Sequence, residues 1–234
     1  MVTKIPLVLL PALNTTARLF EAQVQELSDI SRPVVPEMTG HDTVGAIAEE
    51  ILAAAPERFA LAGLSMGGYV ALEIMRRAPH RVDRLALLDT QAGLDTPEVA
   101  DRRRRLIEIA ASGDFERVLT VMPWTDLVAT TRASDDSLEA VVYGMAREVG
   151  PEAFIRQQRA VMARPDSRPL LSTIGCTALV LVGDDDRITP RERSQEMAAA
   201  IPGASLVVIP ACGHLSALER PDEVNDALRG WLAL

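Results

Sequence analysis

Lysine, histidine and cysteine are all scarce in this chain of 234 residues, and each scarcity weakens the case for a class of chemistry. Lys4 is the only lysine, which disfavours Schiff-base catalysis on a buried lysine. Cys176 and Cys212 form neither a C-x-x-C pair nor a zinc-ligand pattern. We expect two buried thiols in a reducing compartment rather than a disulfide. No metal and no other cofactor is predicted.

Positively charged residues are also fewer than negatively charged ones. The 24 Lys and Arg residues against 33 Asp and Glu give a formal net charge of -9, which disfavours nucleic acid and anionic membranes as partners. No apolar stretch is long enough to span a bilayer. The run Ile5–Leu10 resembles a short signal peptide but lacks a clear small-x-small cleavage site. We interpret it as a buried parallel strand and expect a cytoplasmic protein.

Apolar sequence is abundant, at 48% of residues, and it is arranged as short β-rich runs alternating with helical patterns. The predicted strands are Ile5–Leu10, Pro33–Glu37, Phe59–Gly63, Leu85–Asp89, Ala178–Gly183 and Ser205–Ile209. The predicted helices between the first four are Ala17–Asp29, Val44–Ala55 and Met66–Arg77. Strands that are apolar throughout and joined by helices predict an α/β fold, with a mostly parallel sheet of about six strands.

One segment, residues 93–173, contains helical patterns and no comparable strand, and we name it the cap. Its predicted helices are Pro97–Ala111, Asp114–Val121, Asp135–Glu148 and Pro151–Ala163. An all-helical insertion before the penultimate strand of a parallel sheet is expected to cover the carboxyl ends of the strands, where ligands bind. The sequence therefore predicts a core domain, residues 1–92 and 174–234, with the cap over its site.

The strongest motif is G-x-S-x-G at residues 63–67, which follows a predicted strand and begins a predicted helix. A serine at such a turn needs an unusual backbone conformation, and small neighbours let the strand and helix approach each other. The helix N-terminus adds free N–H groups beside the serine hydroxyl. These features make Ser65 the predicted nucleophile.

A serine hydroxyl needs a base, and the chain offers only three histidines. His80 lies in a charged connection that enters a strand, so it is placed at the opposite edge of the sheet from Ser65. His41 is on the correct edge but precedes the serine, and we expect it to shape its loop. His214 follows the last strand and is the predicted base.

The acid that orients the base is expected between the serine and the histidine in the chain. Asp184, Asp185 and Asp186 leave the penultimate strand together, and any of them is able to reach an imidazole N–H. Asp89, at the end of an earlier strand, is a fourth candidate. The residues alone leave this choice open.

The chain resembles the α/β-hydrolase superfamily, and in particular its small bacterial serine esterases of the carboxylesterase type with a helical cap. The motifs that carry this resemblance are Leu9-Leu10-Pro11-Ala12-Leu13, Gly63-Leu64-Ser65-Met66-Gly67-Gly68, Leu181-Val182-Gly183 with Asp186 three residues on, and Gly213-His214 followed by Leu218-Glu219-Arg220-Pro221. The resemblance implies a catalytic triad of Ser65, Asp186 and His214. It also implies a minimal sheet, because many relatives begin with a hairpin that would precede Ile5.

The resemblance further implies an oxyanion hole made by the backbone N–H groups of Leu13 and Met66. Relatives often carry His-Gly where this chain has Pro11-Ala12, and the missing glycine restricts the loop before Leu13.

Apolar side chains of the cap are expected to line a pocket for the acyl or alcohol group. The candidates are Trp124, Met122, Leu127 and Phe154, and Trp124 is the best of them because it follows a proline in a predicted bend. Four consecutive arginines, residues 102–105, cover the whole circumference of a helix. We therefore expect a solvated surface paired with Glu98, Asp101 and Glu108 rather than a phosphate site.

These observations favour a serine hydrolase that cleaves a small carboxylic ester through an acyl-enzyme, working as a monomer or homodimer. Thioester hydrolysis and carbon–carbon bond hydrolysis or lysis use similar residues on the same fold. A non-catalytic ligand-binding protein is a further alternative, which the loss of a triad residue would have favoured.

Overall fold

A computed structural model describes residues 4–234, so the first three residues of the predicted core segment 1–92 lie outside the described residues. The strands are β1 Ile5–Leu10, β2 Ser31–Val34, β3 Phe59–Leu64, β4 Val82–Leu88, β5 Thr177–Gly183 and β6 Ser205–Ile209. They form one sheet in the order β2-β1-β3-β4-β5-β6, and all neighbouring pairs are parallel. The predicted α/β fold with six parallel strands is confirmed.

The α-helices lie between and after these strands. They are α1 Glu21–Leu27, α2 Val44–Ala54, α3 Met66–Arg77, α4 Pro97–Ala111, α5 Phe115–Val121, α6 Trp124–Leu127, α7 Asp136–Met162, α8 Arg168–Leu171, α9 Arg191–Ala200, α10 Ser216–Glu219 and α11 Pro221–Ala233. None of these helices is both long and apolar enough to cross a membrane.

The core consists of two layers because the side chains of each strand alternate between the faces of the sheet. In β1, Val8 and Leu10 point into one layer with residues of α2, α3 and α9. Leu7 and Leu9 point into the other layer, with residues of α1 and α11. Helices on both faces explain why the strands are apolar throughout.

Strand β2 begins and ends earlier than the predicted strand Pro33–Glu37, and that prediction was wrong in its bounds. Pairing with β1 sets the register: Ile5 lies opposite Ser31, and Val8 opposite Val34. Because β2 is an edge strand, Pro33 is tolerated there without a backbone N–H. The apolar run that suggested a later strand is partly outside the core, since Val34 is 59% exposed.

The cap contains α4 to α8. Within α7, a kink at Gly150 separates two helical segments, which correspond to the two helices predicted on either side of it. Gly150 has φ 74° and ψ 169°, a conformation that glycine adopts without strain. Helix α4 packs against α7, and residues of α4, α5 and α7 form a small apolar core of their own. The short helices α6 and α8 were not predicted.

Candidate active site

Ser65 occupies the sharp turn between β3 and α3, with φ 55° and ψ -113°. This is a rare conformation for a residue with a side chain, and it costs about 1–3 kcal/mol. Hydrogen bonds from the neighbouring strand region hold it there. The Ser65 N–H donates to the Leu88 carbonyl at 3.0 Å, and the Thr90 hydroxyl donates to the Ser65 carbonyl at 2.8 Å. The strain is thus balanced by contacts with the end of β4.

Glycines on either side of Ser65 allow this turn to form. A Cβ atom at Gly67 would collide with the carbonyl of Leu10 in β1, and one at Gly63 would collide with the backbone of Gly67. Helix α3 consequently starts directly against the sheet, and its N-terminus lies next to the Ser65 hydroxyl.

His214 lies in the loop after β6, with its side chain 4% exposed. Its Nε2 atom is 2.9 Å from Ser65 Oγ, a hydrogen-bonding distance. The backbone N–H of His214 donates to the carbonyl of Leu127 in the cap at 3.0 Å. The cap therefore contributes to the position of the histidine loop.

Asp186 completes the chain of hydrogen bonds, since its Oδ2 is 2.9 Å from His214 Nδ1. Oδ2 also accepts from the Thr189 hydroxyl at 2.8 Å. Oδ1 accepts from the backbone N–H groups of Ile188 and Thr189, at 2.8 and 2.9 Å. The carboxylate is buried and fully provided with donors, so it is fixed in one orientation.

The two ionisable partners stabilise each other's charge. Burial alone would raise the pKa of Asp186, but the charge and hydrogen bond of His214 outweigh it and lower that pKa. Burial would lower the pKa of His214, but Asp186 outweighs it and raises that pKa above its usual value. The pair is therefore arranged to favour an imidazolium beside a carboxylate.

The other two aspartates of the turn make different contacts. Asp185 accepts from the backbone N–H of Thr130 at 2.6 Å and from its hydroxyl at 2.7 Å, which ties the turn to the cap. Asp184 accepts from the backbone N–H of Cys212 at 3.3 Å. Of the three neighbours, Asp186 is the one bonded to the imidazole.

Asp89, the fourth candidate, is fully buried behind the site rather than bonded to the imidazole. Its Oδ1 accepts from the N–H of Gly183 at 3.0 Å, and its Oδ2 accepts from the hydroxyl and N–H of Ser216. Burial, reinforced by the charge of Asp186, raises the pKa of Asp89 to about 8. Asp89 therefore links two segments of the site: the turn that contains Asp186 and the loop that contains His214.

Glu219 is a site residue that the sequence reasoning did not single out. It is buried, and its carboxylate accepts backbone N–H bonds from Ala129 at 2.8 Å, Gly213 at 3.0 Å and Leu215 at 3.3 Å. It braces the histidine loop against the cap. The only signal was its place in Leu218-Glu219-Arg220-Pro221, directly after the histidine.

The two other histidines lie outside this cluster. His41 lies beside Glu50, with 3.2 Å between Nε2 and Oε2. His80 lies exposed in the connection between α3 and β4. Neither is hydrogen-bonded to Ser65.

The backbone N–H groups of Leu13 and Met66 have no acceptor within residues 4–234. Both residues line the cavity that contains Ser65. Next to Leu13, Asn14 adopts φ 61°, which turns the chain sharply after β1. An oxygen atom that gains negative charge in the cavity would find two unused donors of this kind.

A cavity of about 320 Å³ lies between the sheet edge and the cap, and Ser65 and His214 form part of its floor. Met122 and Leu127 line it, as predicted from the sequence. Trp124 and Phe154 do not, and their assignment to the pocket was wrong. The ring of Trp124 is buried in the core layer with Leu7 and Leu9, whereas Phe154 is buried in the cap's own core.

Three of the four arginines at residues 102–105 are exposed as predicted, and one is not. Arg104 is exposed and pairs with Asp101 as expected. Arg103 instead turns inward, its side chain 18% exposed, and its Nε donates to Asp95 at 2.6 Å. Arg102 and Arg103 both line the cavity. A helix has one inward face, so one arginine of the four is drawn into the structure.

Comparison with known proteins agrees with this geometry. The sequence profile described as "Alpha/beta hydrolase family" matches residues 7–227. The chain therefore belongs to the alpha/beta hydrolase family.

Two solved structures and one curated protein illustrate the range of relatives. A thermophilic esterase from Thermogutta terrifontis, with malate bound, has a TM-score of 0.88 and 32% identity over 99% of this chain and 90% of that chain. The enol-lactonase from Burkholderia xenovorans LB400 has a TM-score of 0.89 and 24% identity over 99% and 92%, a likeness of fold. The 2-hydroxy-6-oxononadienedioate/2-hydroxy-6-oxononatrienedioate hydrolase of Escherichia coli is 28% identical over 74% of this chain, and the match spans 62% of that protein's length.

Proposed function

We propose that this chain is a serine hydrolase that cleaves carboxylic esters through an acyl-enzyme intermediate, with Ser65, His214 and Asp186 as its catalytic triad. The observation that carries the proposal is the continuous hydrogen-bond chain from Ser65 Oγ to His214 Nε2 and from His214 Nδ1 to Asp186 Oδ2, with 2.9 Å at each step. Membership of a hydrolase family and the similarity to an esterase support it.

The reaction starts when Ser65 Oγ attacks the ester carbonyl and gives its proton to His214 Nε2. The carbonyl oxygen becomes an oxyanion, which accepts hydrogen bonds from the N–H groups of Leu13 and Met66, and each of these bonds lowers the barrier by about 3 kcal/mol. The intermediate collapses, and His214 returns the proton to the departing alcohol. Water then attacks the acyl-Ser65 ester by the same route and releases the acid.

Asp186 holds the imidazole in the tautomer that leaves Nε2 free to accept a proton. It also stabilises the imidazolium that forms in each half of the reaction. The cap excludes water from this pair, because its backbone packs over the histidine loop at Leu127 and Ala129. Low solvent exposure strengthens the electrostatic interaction between the two side chains.

A panel of p-nitrophenyl esters of increasing acyl length tests the proposal. The wild-type protein is expected to release p-nitrophenol, and Ser65→Ala to lose roughly 10³-fold or more of kcat with an unchanged melting temperature. Ser172→Ala, at an exposed serine of the cap, is the matched control and should behave like wild type. Near wild-type turnover by Ser65→Ala would overturn the assignment of the nucleophile.

Carbon–carbon bond hydrolysis is the second candidate, favoured by the similarity to the E. coli 2-hydroxy-6-oxononadienedioate hydrolase. The dioate named there belongs in the same substrate panel. A kcat/KM for it that exceeds every ester value would favour this second reaction over ester hydrolysis.

A further inference from the structure

The wall of the active-site cavity carries more positive than negative charge, although the chain as a whole is acidic. Its charged side chains are Arg102, Arg103, Arg187, Arg193, Asp95 and Asp126. Four arginines against two aspartates leave an excess of two positive charges, in a protein whose net charge is -9. Such an excess at a cleft attracts anionic ligands.

Two of these arginines are compensated by acids that lie outside the cavity wall. Arg187 is bonded to Asp185, with 3.1 Å between Nη2 and each carboxylate oxygen. Arg193 pairs with Glu196 at 3.8 Å. These two residues add little to the field inside the cavity.

With those two pairs set aside, one positive charge remains at Asp95, because this carboxylate is shared by two guanidinium groups: Arg103 of the wall and Arg164, which lies behind it. Arg103 Nε donates to Asp95 at 2.6 Å, and Arg164 Nη2 donates at 2.8 Å. The side chains of Asp95 and Arg164 are only 6% and 4% exposed. Arg164 also stacks over the ring of Tyr69, 4.2 Å from the centroid. Asp166, which also interacts with the charge of Arg164, is bonded to Arg168.

Arg103 lines the cavity, and part of its guanidinium group has no protein partner. Its Nη1 donates to Oε1 of Gln158 at 2.8 Å, while its Nη2 has no hydrogen-bond acceptor within residues 4–234. The Nε2 amide of Gln158, buried beside it, also lacks a partner among those residues. Arg102, the next residue along α4, makes only a 3.6 Å ion pair with Asp126. Unused donors and net positive charge therefore coincide on one wall.

We propose that this wall binds a carboxylate carried by the substrate, with Arg103 as the main contact and Arg102 beside it. The inference rests on the proposed function, since it names the substrate class of the same site: esters that bear a second, ionised carboxyl group. A planar guanidinium matches a carboxylate in shape, and charge-assisted bonds of this kind are stronger than neutral ones. An anion bound here would neutralise the one positive charge that remains when Asp95 pairs with both Arg103 and Arg164.

Two pairs of esters test the proposal, each differing only in a carboxylate. One pair, p-nitrophenyl pentanoate and p-nitrophenyl hydrogen glutarate, varies the acyl side. The other pair, phenyl acetate and 4-acetoxybenzoate, varies the alcohol side. Arg103→Met should lower the ratio of kcat/KM for the anionic ester over the neutral one by roughly ten- to a hundredfold in at least one pair.

Arg104→Met is the matched control, because Arg104 is the neighbouring arginine of α4 and points to solvent. Its ratios should equal those of wild type. Arg103→Met leaves Asp95 paired with Arg164 alone, a neutral pair, so the variant is expected to fold. Arg103→Lys retains the positive charge but not the planar guanidinium group, so its ratio of kcat/KM for the anionic ester over the neutral one should be intermediate. This variant keeps the test valid if Arg103→Met is unstable.

The proposal is wrong if neither ratio changes in Arg103→Met and Arg103→Lys, or if Arg104→Met changes the ratios equally. Failure of the proposed function gives a different result, namely no turnover of any of the four esters. In that case calorimetric titration with glutarate decides the inference. Wild type and Arg104→Met should then bind glutarate at least tenfold more tightly than Arg103→Met, and equal binding by all three would overturn it.

Discussion

Replacing Asp186 with asparagine keeps the size of the side chain and removes its charge. The structure determines how the amide would sit. The position of Oδ1 receives two backbone N–H groups, from Ile188 and Thr189, so the amide oxygen must occupy it. The amide NH₂ then takes the position of Oδ2, 2.9 Å from Nδ1 of His214. The imidazole must accept a hydrogen bond there, which puts its proton on Nε2.

An imidazole that is protonated on Nε2 cannot accept the proton of Ser65. The expected loss is roughly 10⁴-fold in kcat, the size known for the equivalent change in serine proteases, which corresponds to about 5 kcal/mol of barrier. Loss of the carboxylate also removes the charge that raises the pKa of His214. The fold should persist because an amide oxygen satisfies both backbone N–H groups.

The assay is steady-state hydrolysis of p-nitrophenyl butyrate by Asp186→Asn. Asp184→Asn and Asp185→Asn are the matched neighbours, and Asp89→Asn is the control directly after β4. The neighbours should stay within about tenfold of wild type, since neither touches the imidazole. Asp89→Asn tests an acid on the earlier strand, and its loss should also be smaller than that of Asp186→Asn, because Asp89 is bonded to Gly183 and Ser216 and not to the imidazole. A larger loss from any of these three than from Asp186→Asn would refute the assignment of the acid.

Three further outcomes follow from the burial and charge of the site. Trp124→Ala should lower the free energy of unfolding by about 3–5 kcal/mol, measured by urea denaturation, because the ring is buried in the core. The rate of hydrolysis should decrease by the same factor for every ester. Met122→Ala should instead change the relative kcat/KM among acyl lengths by up to roughly a hundredfold, with little loss of stability. The kcat/KM of wild type should fall as the pH decreases, because His214 must be neutral to act as the base. The midpoint of this fall should lie above pH 6.5, since the pKa of His214 is raised from that value. A midpoint below pH 6.5 would contradict this direction.

Local sequence was sufficient to predict the sheet, the turn at Ser65 and the loop that brings His214 next to Ser65. Each depends on short-range context: an apolar strand, a G-x-S-x-G turn and a helix, or a turn directly after the last strand. The bounds of β2 were wrong because an edge strand takes its register from its partner, β1. The choice of Asp186 over its two neighbours depended on the resemblance to the α/β-hydrolase superfamily, because adjacent aspartates on a turn differ only in the direction in which their side chains point.

The cap was the segment where sequence reasoning was least successful. Pro123 correctly indicated an irregular connection, yet the direction in which the ring of Trp124 points depends on its packing in an apolar cluster that contains residues of both the cap and the sheet. Arg103 is indistinguishable from Arg102, Arg104 and Arg105 in a run of identical residues. Only its contacts with Asp95 and Gln158, on either side of it in the sequence, separate it from them. Contacts between distant segments carry this information.

The most direct test of the central claim is covalent labelling by a fluorophosphonate, which reacts with an activated serine, followed by mass spectrometry of the peptides. Wild type should be labelled once, on Ser65, and His214→Ala should be labelled far more slowly because no base accepts the proton of the Ser65 hydroxyl. Prior incubation with an ester should slow the labelling of wild type. Absence of label from Ser65, with the folded protein intact, or equally fast labelling in His214→Ala, would contradict a base-activated serine nucleophile at this site.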